Sequence, residues 1–528
     1  MRKEILAILL MVIASLPVLH IGAQSKADAE LQMRKLQFAE QAVKYFYVDT
    51  VNETKLVEDA IRGMLEKLDP HSSYSTHKEV QQMNEPLQGN FEGIGVQFNM
   101  VEDTLLVIQT ISGGPSEKMG IMAGDRIVTV NDSSIAGVKM AREEIVRRLR
   151  GPKGTKVLLG VVRPGIADRL TFTITRDKIP LHSIDATYML RPGVGYIRIS
   201  NFGATTADEF RQGLKQLLSD GMQRLVIDLQ ENGGGYLQAA VEVANELLHR
   251  GDLIVYTDGR SSRRMEYKAW GGGLFTEGRV IVLVDSYTAS AAEIVSGAVQ
   301  DHDRGIIVGR RTFGKGLVQR PIELPDGSLI RLTIAHYYTP SGRCIQKPYE
   351  KGKREDYQMD VVNRLKSGEL MSADSVHFAD SLKYYTLKEH RVVYGGGGIM
   401  PDEFVPLDTM QYTKYHRELA AKSSLLNQNL RYVDNHRKQL KAEYPSFADF
   451  EKRFEVPKRL VDGIIAEGKK QKVVPKDDAE MQKTLPYLKQ QLKALIARDL
   501  WTMTEYFAIM NEQSDIVQRA IAVINNKE

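Results

Sequence analysis

Apolar and polar positions change their period several times along the chain, and each change predicts a different kind of element. From residue 178 onward, short apolar runs alternate with amphipathic stretches. "GVGYIRIS" (193–200) reads as a strand and "TADEFRQGLKQLLSDG" (206–221) as a helix. "LVIDLQ" (225–230) is a buried strand and "YLQAAVEVANELLHRG" (236–251) a helix. "VIVLVD" (280–285), "SAAEIVSGAVQDH" (290–302) and "GIIVG" (305–309) repeat the strand–helix–strand order. This alternation predicts an α/β domain over 178–411 with a largely parallel central portion.

The flanking segments read differently. Residues 24–85 are predicted helical, because "LQMRKLQFAEQAVKYFYV" and "NETKLVEDAIRGMLEKLD" place apolar residues at three- and four-residue steps; Pro70 ends the second. Residues 86–177 break into short apolar runs separated by Gly, Asp and Asn, with one short helix at "KMAREEIVRRL", the pattern of a small strand-rich module. Residues 347–391 form a polar insertion, after which the glycines of "YGGGGIMPDEF" return the chain to the core. Residues 412–528 are charged and helical, and "LKQQLKALIARDL" has an amphipathic packing face.

The length of 528 residues is too great for one core and implies several domains. A formal charge of +4, with no basic stripe interleaved with aromatics, gives no case for nucleic acid. The N-terminus carries more information. Arg2 and Lys3 precede an apolar run from Ile5 to about Leu19, followed by small residues near Ala23. This is the pattern of a signal peptide over 1–23, cleaved after Ala23; the alternative is an uncleaved membrane anchor. Either predicts an exported, periplasmic protein. The single cysteine, Cys344, excludes an internal disulfide and a cysteine-based metal site.

"VDSYTASAAEIVSG" (284–297) holds three serines, of which Ser286 falls at a strand end, Ser296 in mid-helix and Ser290 at the helix mouth. Backbone N–H groups and the helix dipole favour negative charge at that mouth, so position selects Ser290 as a nucleophile, unless it only caps the helix. The nearest histidine, His302, ends the same helix, about 18 Å away at 1.5 Å per residue. His336 is not excluded by spacing. Lys315 is the other base, in a glycine-bracketed turn among Phe313, Gly314, Gly316 and Leu317, with Arg310 and Arg311 nearby. A lysine serves as a base only when neutral, so it must be desolvated. The run Asn232-Gly233-Gly234-Gly235, between a strand and a helix, lets backbone approach a ligand and offers N–H groups for an oxyanion.

"TASAAEIVSGAVQDH…GIIVGRRTFGKGLVQ", with "IDLQENGGG", "YYTPSGRCIQ" and "GIMPD", resembles the carboxyl-terminal processing peptidases, or tail-specific proteases, over about residues 35–410. The resemblance implies a ClpP/crotonase-like α/β serine protease core with an inserted PDZ domain, flanked by helical regions. It implies a serine–lysine dyad of Ser290 and Lys315, with Gln319 positioning the base. It assigns oxyanion N–H groups to Ala291 and Gly234, reads Asp301 as a structural brace, and implies no metal or cofactor. Two stretches depart from the family pattern: Tyr287-Thr288-Ala289-Ser290-Ala291-Ala292-Glu293 around the nucleophile, where the family often has Gly-Ser-Ala-Ser-Ala-Ser-Glu, and Asp228-Leu229-Gln230, where it commonly has arginine at the third position.

The strand-rich module resembles a PDZ domain, in which Gly93, Ile94, Gly95 and Val96 form the loop that grips a peptide's terminal carboxylate. Implied partners are proteins or peptides with apolar C-termini, while the C-terminal helices serve a homo-oligomer, bind an adaptor or shield the cleft. The competing function is a non-catalytic PDZ scaffold on an inactive protease fold. Ser75-Thr76-His77-Lys78 matches the acylation motif of penicillin-binding enzymes, but its partner motifs K-T-G and S-D-N are absent from the chain.

Overall fold

The computed structural model describes residues 28–111, 113–408, 412–422 and 424–525. The segment expected to be a signal peptide lies outside them. No described helix is long and apolar enough to cross a membrane. The described residues divide into two compact units: those up to 76 with 321–332 and 349–354, and the remainder.

In the smaller unit, Asn52 caps the helix Glu53–Glu66 by accepting from Lys55 N–H at 3.0 Å. The helical reading of 24–85 breaks at the turn that follows. There Asp69 accepts the N–H groups of His71 and Ser72, each at 2.9 Å, and starts a strand Ser73–Ser75 that pairs antiparallel with Leu329–Arg331. Ser75, from the penicillin-binding match, is buried in this strand.

In the larger unit, the strand-rich module forms a sheet with Val96–Val101 at one edge. Its own core includes Ile94, Leu105, Ile127 and Ile145. The protease segment builds a six-stranded sheet: β1 (Ile184–Arg191), β2 (Val194–Ile199), β3 (Arg224–Asp228), β4 (Arg279–Val284), β5 (Gly305–Gly309) and β6 (Glu403–Phe404). β1 is antiparallel to β2, and every other neighbouring pair is parallel. Helices α1 (Thr206–Ser219), α2 (Leu237–Asn245) and α3 (Ala291–Asp301) connect the parallel strands and share one core with the sheet. Parallel strands covered in this way are near-continuously apolar, as the "LVID" and "VIVLV" runs are.

Every residue of α3 is buried, which accounts for its run of small side chains. A Cβ on Gly297 would stand 2.8 Å from Thr339 Cγ2. Asp301 braces the end of this helix, as expected: its carboxylate meets Arg343 at 2.6 Å and accepts Ser341 N–H at 2.9 Å.

The C-terminal helices form a core of their own, and "LKQQLKALIARDL" spends its apolar face there through Leu488, Leu492, Leu495 and Leu500. The last helix, Asp515–Asn525, packs Ile516, Val517 and Ile524 with residues of the protease sheet. Asp434, on the helix Ser424–Glu443, pairs with Arg126 of the strand-rich module at 2.5 Å.

Candidate active site

β4 ends at Val284, and the next four residues form a turn built on Asp285. Its carboxylate accepts N–H from Tyr287 at 2.9 Å, Thr288 at 3.0 Å and Glu231 at 3.1 Å, so the turn is tied to the loop after β3. Thr288 is buried and donates its hydroxyl to Leu229 O at 2.8 Å. Ser290 follows as the N-cap of α3, with φ 58° and ψ −115°. A serine in this left-handed region stores about 1–3 kcal/mol of strain, which the surroundings must hold. The other two serines are sequestered: Ser286 is buried, and Ser296 donates to Ala292 O inside the helix.

The strained turn is held by a group that the sequence reading did not single out. Glu293, wholly buried at N3 of α3, turns its carboxylate back on the two loops. Oε2 accepts N–H from Ser290 at 2.8 Å and from Lys315 at 2.9 Å. Oε1 accepts Gly314 N–H at 2.8 Å and the Thr312 hydroxyl. One carboxylate thus joins the backbone amides of the candidate nucleophile and the candidate base. Burial pushes its carboxyl above the ordinary value, against four hydrogen bonds that favour the anion. The legible signal was the spacing Ser290-x-x-Glu293, a capping-box pattern.

A second bridge comes from Tyr337, on the strand Leu329–Tyr338. Its buried hydroxyl is within reach of the carbonyl oxygens of Ser290, at 3.0 Å, and of Lys315. Successive strand residues face opposite ways, so His336 points away from the side on which Tyr337 meets both loops. His302 is engaged elsewhere, 2.7 Å from Leu253 O. Lys315 is partly buried, and its Nζ donates to Gln319 Oε1 at 3.2 Å, which brings these two predicted residues together. Of the two neighbouring arginines, Arg311 is held in a two-pronged ion pair with Glu369, 2.7 Å on each prong.

The glycine turn packs directly on this arrangement. A Cβ on Gly234, whose φ is +95°, would lie 2.7 Å from Ser290 Cβ and 2.9 Å from Ala291 N, so only glycine fits. Gly234 N–H, the expected oxyanion donor, donates to Asn232 Oδ1 at 2.8 Å. Buried Asn232 also donates to Ile199 O at 2.8 Å and accepts Ala289 N–H at 2.9 Å, linking the two loops again. Ala291 N–H, at the first position of α3, has no acceptor within the helix by geometry.

In the strand-rich module, Gly93 closes the strand Asn90–Gly93 and Val96 opens the edge strand. Between them Ile94 is buried, its carbonyl accepting Ser116 N–H at 3.1 Å, and Gly95 has φ +75°. Arg142, which starts the helix Arg142–Leu149, stacks on Phe98 of the edge strand at 5.3 Å. An edge strand beside a glycine loop suits the addition of a peptide strand.

Comparison with known proteins agrees with this anatomy. Residues 193–359 match the model of peptidase family S41, and residues 93–177 match the PDZ domain model. Residues 15–79 match the model of the N-terminal domain of the activating protease CtpB, and residues 415–502 match a family of unknown function. The chain is 36% identical over 310 residues to a carboxy-terminal-processing protease of Bartonella bacilliformis, covering 58% of this chain and 70% of that one. It is 34% identical over 335 residues to the carboxy-terminal processing protease CtpB of Bacillus subtilis, covering 62% and 68%. Among solved structures, the photosystem II D1 C-terminal processing protease is 32% identical with a TM-score of 0.34, covering 59% of this chain and 89% of that one.

Proposed function

Because the chain belongs to peptidase family S41, as a carboxy-terminal processing protease of serine type with a PDZ domain, we propose that it is an exported endopeptidase working through a Ser290–Lys315 dyad. The observation that carries this reading is the Glu293 carboxylate, which binds the backbone N–H groups of Ser290 and Lys315 at 2.8 and 2.9 Å and so fixes one relative to the other.

Neutral Lys315 takes the Ser290 proton as Oγ bonds to the scissile carbonyl carbon. The N–H of Ala291 holds the oxyanion, with Gly234 sharing its N–H between that oxygen and Asn232. Collapse breaks the C–N bond, and the lysine ammonium gives its proton to the leaving amine. Water, deprotonated by Lys315, then hydrolyses the acyl-enzyme ester and restores Ser290. Gln319 accepts from the lysine Nζ and aims it.

Substrates are recognised by an apolar C-terminal tail, whose carboxylate lies against the backbone of Gly93–Val96 while its strand adds to Val96–Val101. Residues 1–23 supply the export signal. The C-terminal helices, besides their packing within the chain, serve an adaptor or a second copy.

The test uses an unfolded substrate with an apolar C-terminus and its C-terminally amidated twin. The free carboxylate is expected to be cleaved with kcat/KM about tenfold higher, the effect of roughly 1.4 kcal/mol from one charge-assisted contact. Equal cleavage of the two would remove C-terminal recognition from the reading.

A further inference from the structure

The expected polar insertion contributes more than a surface excursion. It carries α4 (Arg354–Gln358) and α5 (Asp360–Lys366), and Arg364 of α5 lies past the end of the segment that matches the S41 model, 193–359. Arg364 is only 3% exposed. Its guanidinium donates to three consecutive backbone carbonyls of the loop leading to Lys315: Arg311 O at 3.3 Å, Thr312 O at 2.8 Å and Phe313 O at 3.0 Å. Its Nε lies 2.8 Å from Asp360 Oδ2, an ion pair within one helical turn.

The rest of the insertion fastens the same loop. Lys347 N–H donates to Gly314 O at 2.9 Å. The Lys347 ammonium sits 3.7 Å from the Phe313 ring centroid and 4.0 Å from that of Tyr357, and pairs with Asp360 at 2.9 Å. Glu369, just past α5, holds the Arg311 guanidinium.

The loop needs this anchorage. Glycines on both sides of Lys315 place few limits on the backbone, and Gly314 has φ +86°. Glu293 grips the amides of Gly314 and Lys315 from one side, while the carbonyls of 311–313 face the insertion. A planar fork with five donors reaches three carbonyls at once; an ammonium on a flexible stem does not hold the same fixed geometry.

We propose that Arg364 is a positioning residue for the general base: it fixes the 311–313 backbone so that Lys315 stands within reach of the Ser290 hydroxyl. This rests on the dyad reading above. The test compares Arg364→Met and Arg364→Lys with the parent in the full chain, by kcat, KM and the pH profile of kcat/KM on an unfolded protein substrate. Lys315→Ala is run alongside.

A base displaced by about an ångström costs on the order of 100-fold. The expected result is a kcat loss of that size in Arg364→Met with KM within about twofold, partial recovery in Arg364→Lys, and an acid limb moved to higher pH as the lysine meets solvent. If Arg364→Met does not fold, Arg364→Lys decides alone by its kcat and acid limb. The inference is overturned if activity per folded molecule and the acid limb of the variants match the parent, so that any loss merely tracks unfolding. Activity surviving in Lys315→Ala overturns the dyad reading instead, which keeps the two failures distinct.

Discussion

Lys315→Ala is expected to stop cleavage, lowering kcat by roughly 10⁴-fold, the upper range for removing a general acid–base group. The fold should survive. The Lys315 backbone N–H bound by Glu293 and the carbonyl facing Tyr337 are retained in the variant, and only a partly buried side chain is lost. A change in unfolding free energy within about 1 kcal/mol, the usual range for a substitution that opens no core cavity, is therefore expected. In the parent, kcat/KM should rise with pH as the lysine loses its proton, because only the neutral amine accepts one from serine. That rise should vanish in the variant. Residual cleavage that keeps the parental rise with pH would place the base on another residue. The measurement is a pH–rate profile on both proteins, with thermal melts to confirm equal folding.

Glu293→Ala is expected to damage both stability and activity. Its carboxylate accepts from Ser290 N–H, Lys315 N–H, Gly314 N–H and Thr312 Oγ1, and it is wholly buried. Truncation leaves four donors without their acceptor, those of Gly314 and Thr312 buried and those of Ser290 and Lys315 partly so, each worth up to about 1–3 kcal/mol when orphaned. Relaxation recovers part of this, so a loss of about 4 kcal/mol or more is expected. Glu293→Gln separates shape from charge. Its one oxygen can serve one pair of donors, while its NH₂ confronts the other pair. It should fold, melt lower, and lose kcat by about 100-fold because one of the two loops is released. Equilibrium denaturation and turnover of an unfolded substrate measure both effects. A Glu293→Gln enzyme with parental kcat would show that the bridge between the loops is dispensable.

The difference between what the sequence made legible and what it hid lies in the range of each signal. The parallel strands β2–β5 and the helices α1–α3 were readable because their apolar periods are local, whereas the two-residue β6 carries no period to read. The helix mouth at Ser290 was readable from a strand end followed by a small-residue helix, and the Lys315 turn from its bracketing glycines. The hairpin of Leu253–Gly259 with Ser262–Lys268 was not read, because its second strand, "SRRMEYK", is charged and mostly exposed and has no apolar alternation. The strand Ser73–Ser75 is three residues long and polar, so nothing in it opposed a helical reading.

Glu293 was half legible, since a capping box is a local pattern, although its reach to Thr312, Gly314 and Lys315 is not. Tyr337 and Arg364 were not legible at all. They act on backbone carbonyls 22 to 53 positions away, and a carbonyl is present at every residue, so no side-chain pattern marks the target. For the same reason, residues 347–391 looked like a polar excursion. Three of their charges, Asp360, Arg364 and Glu369, pair with one another or with Arg311 of the loop leading to Lys315.

Whether Ser290 is the nucleophile is decided by turnover of an unfolded substrate with an apolar C-terminus by Ser290→Ala beside the parent, at equal folded concentration. Complete cleavage by the parent and none by Ser290→Ala, with superimposable melts, is the expected result, because Ser286 and Ser296 are buried and cannot substitute. Cleavage by a folded Ser290→Ala enzyme at a rate near the parent's would contradict it and place the nucleophile elsewhere in the chain.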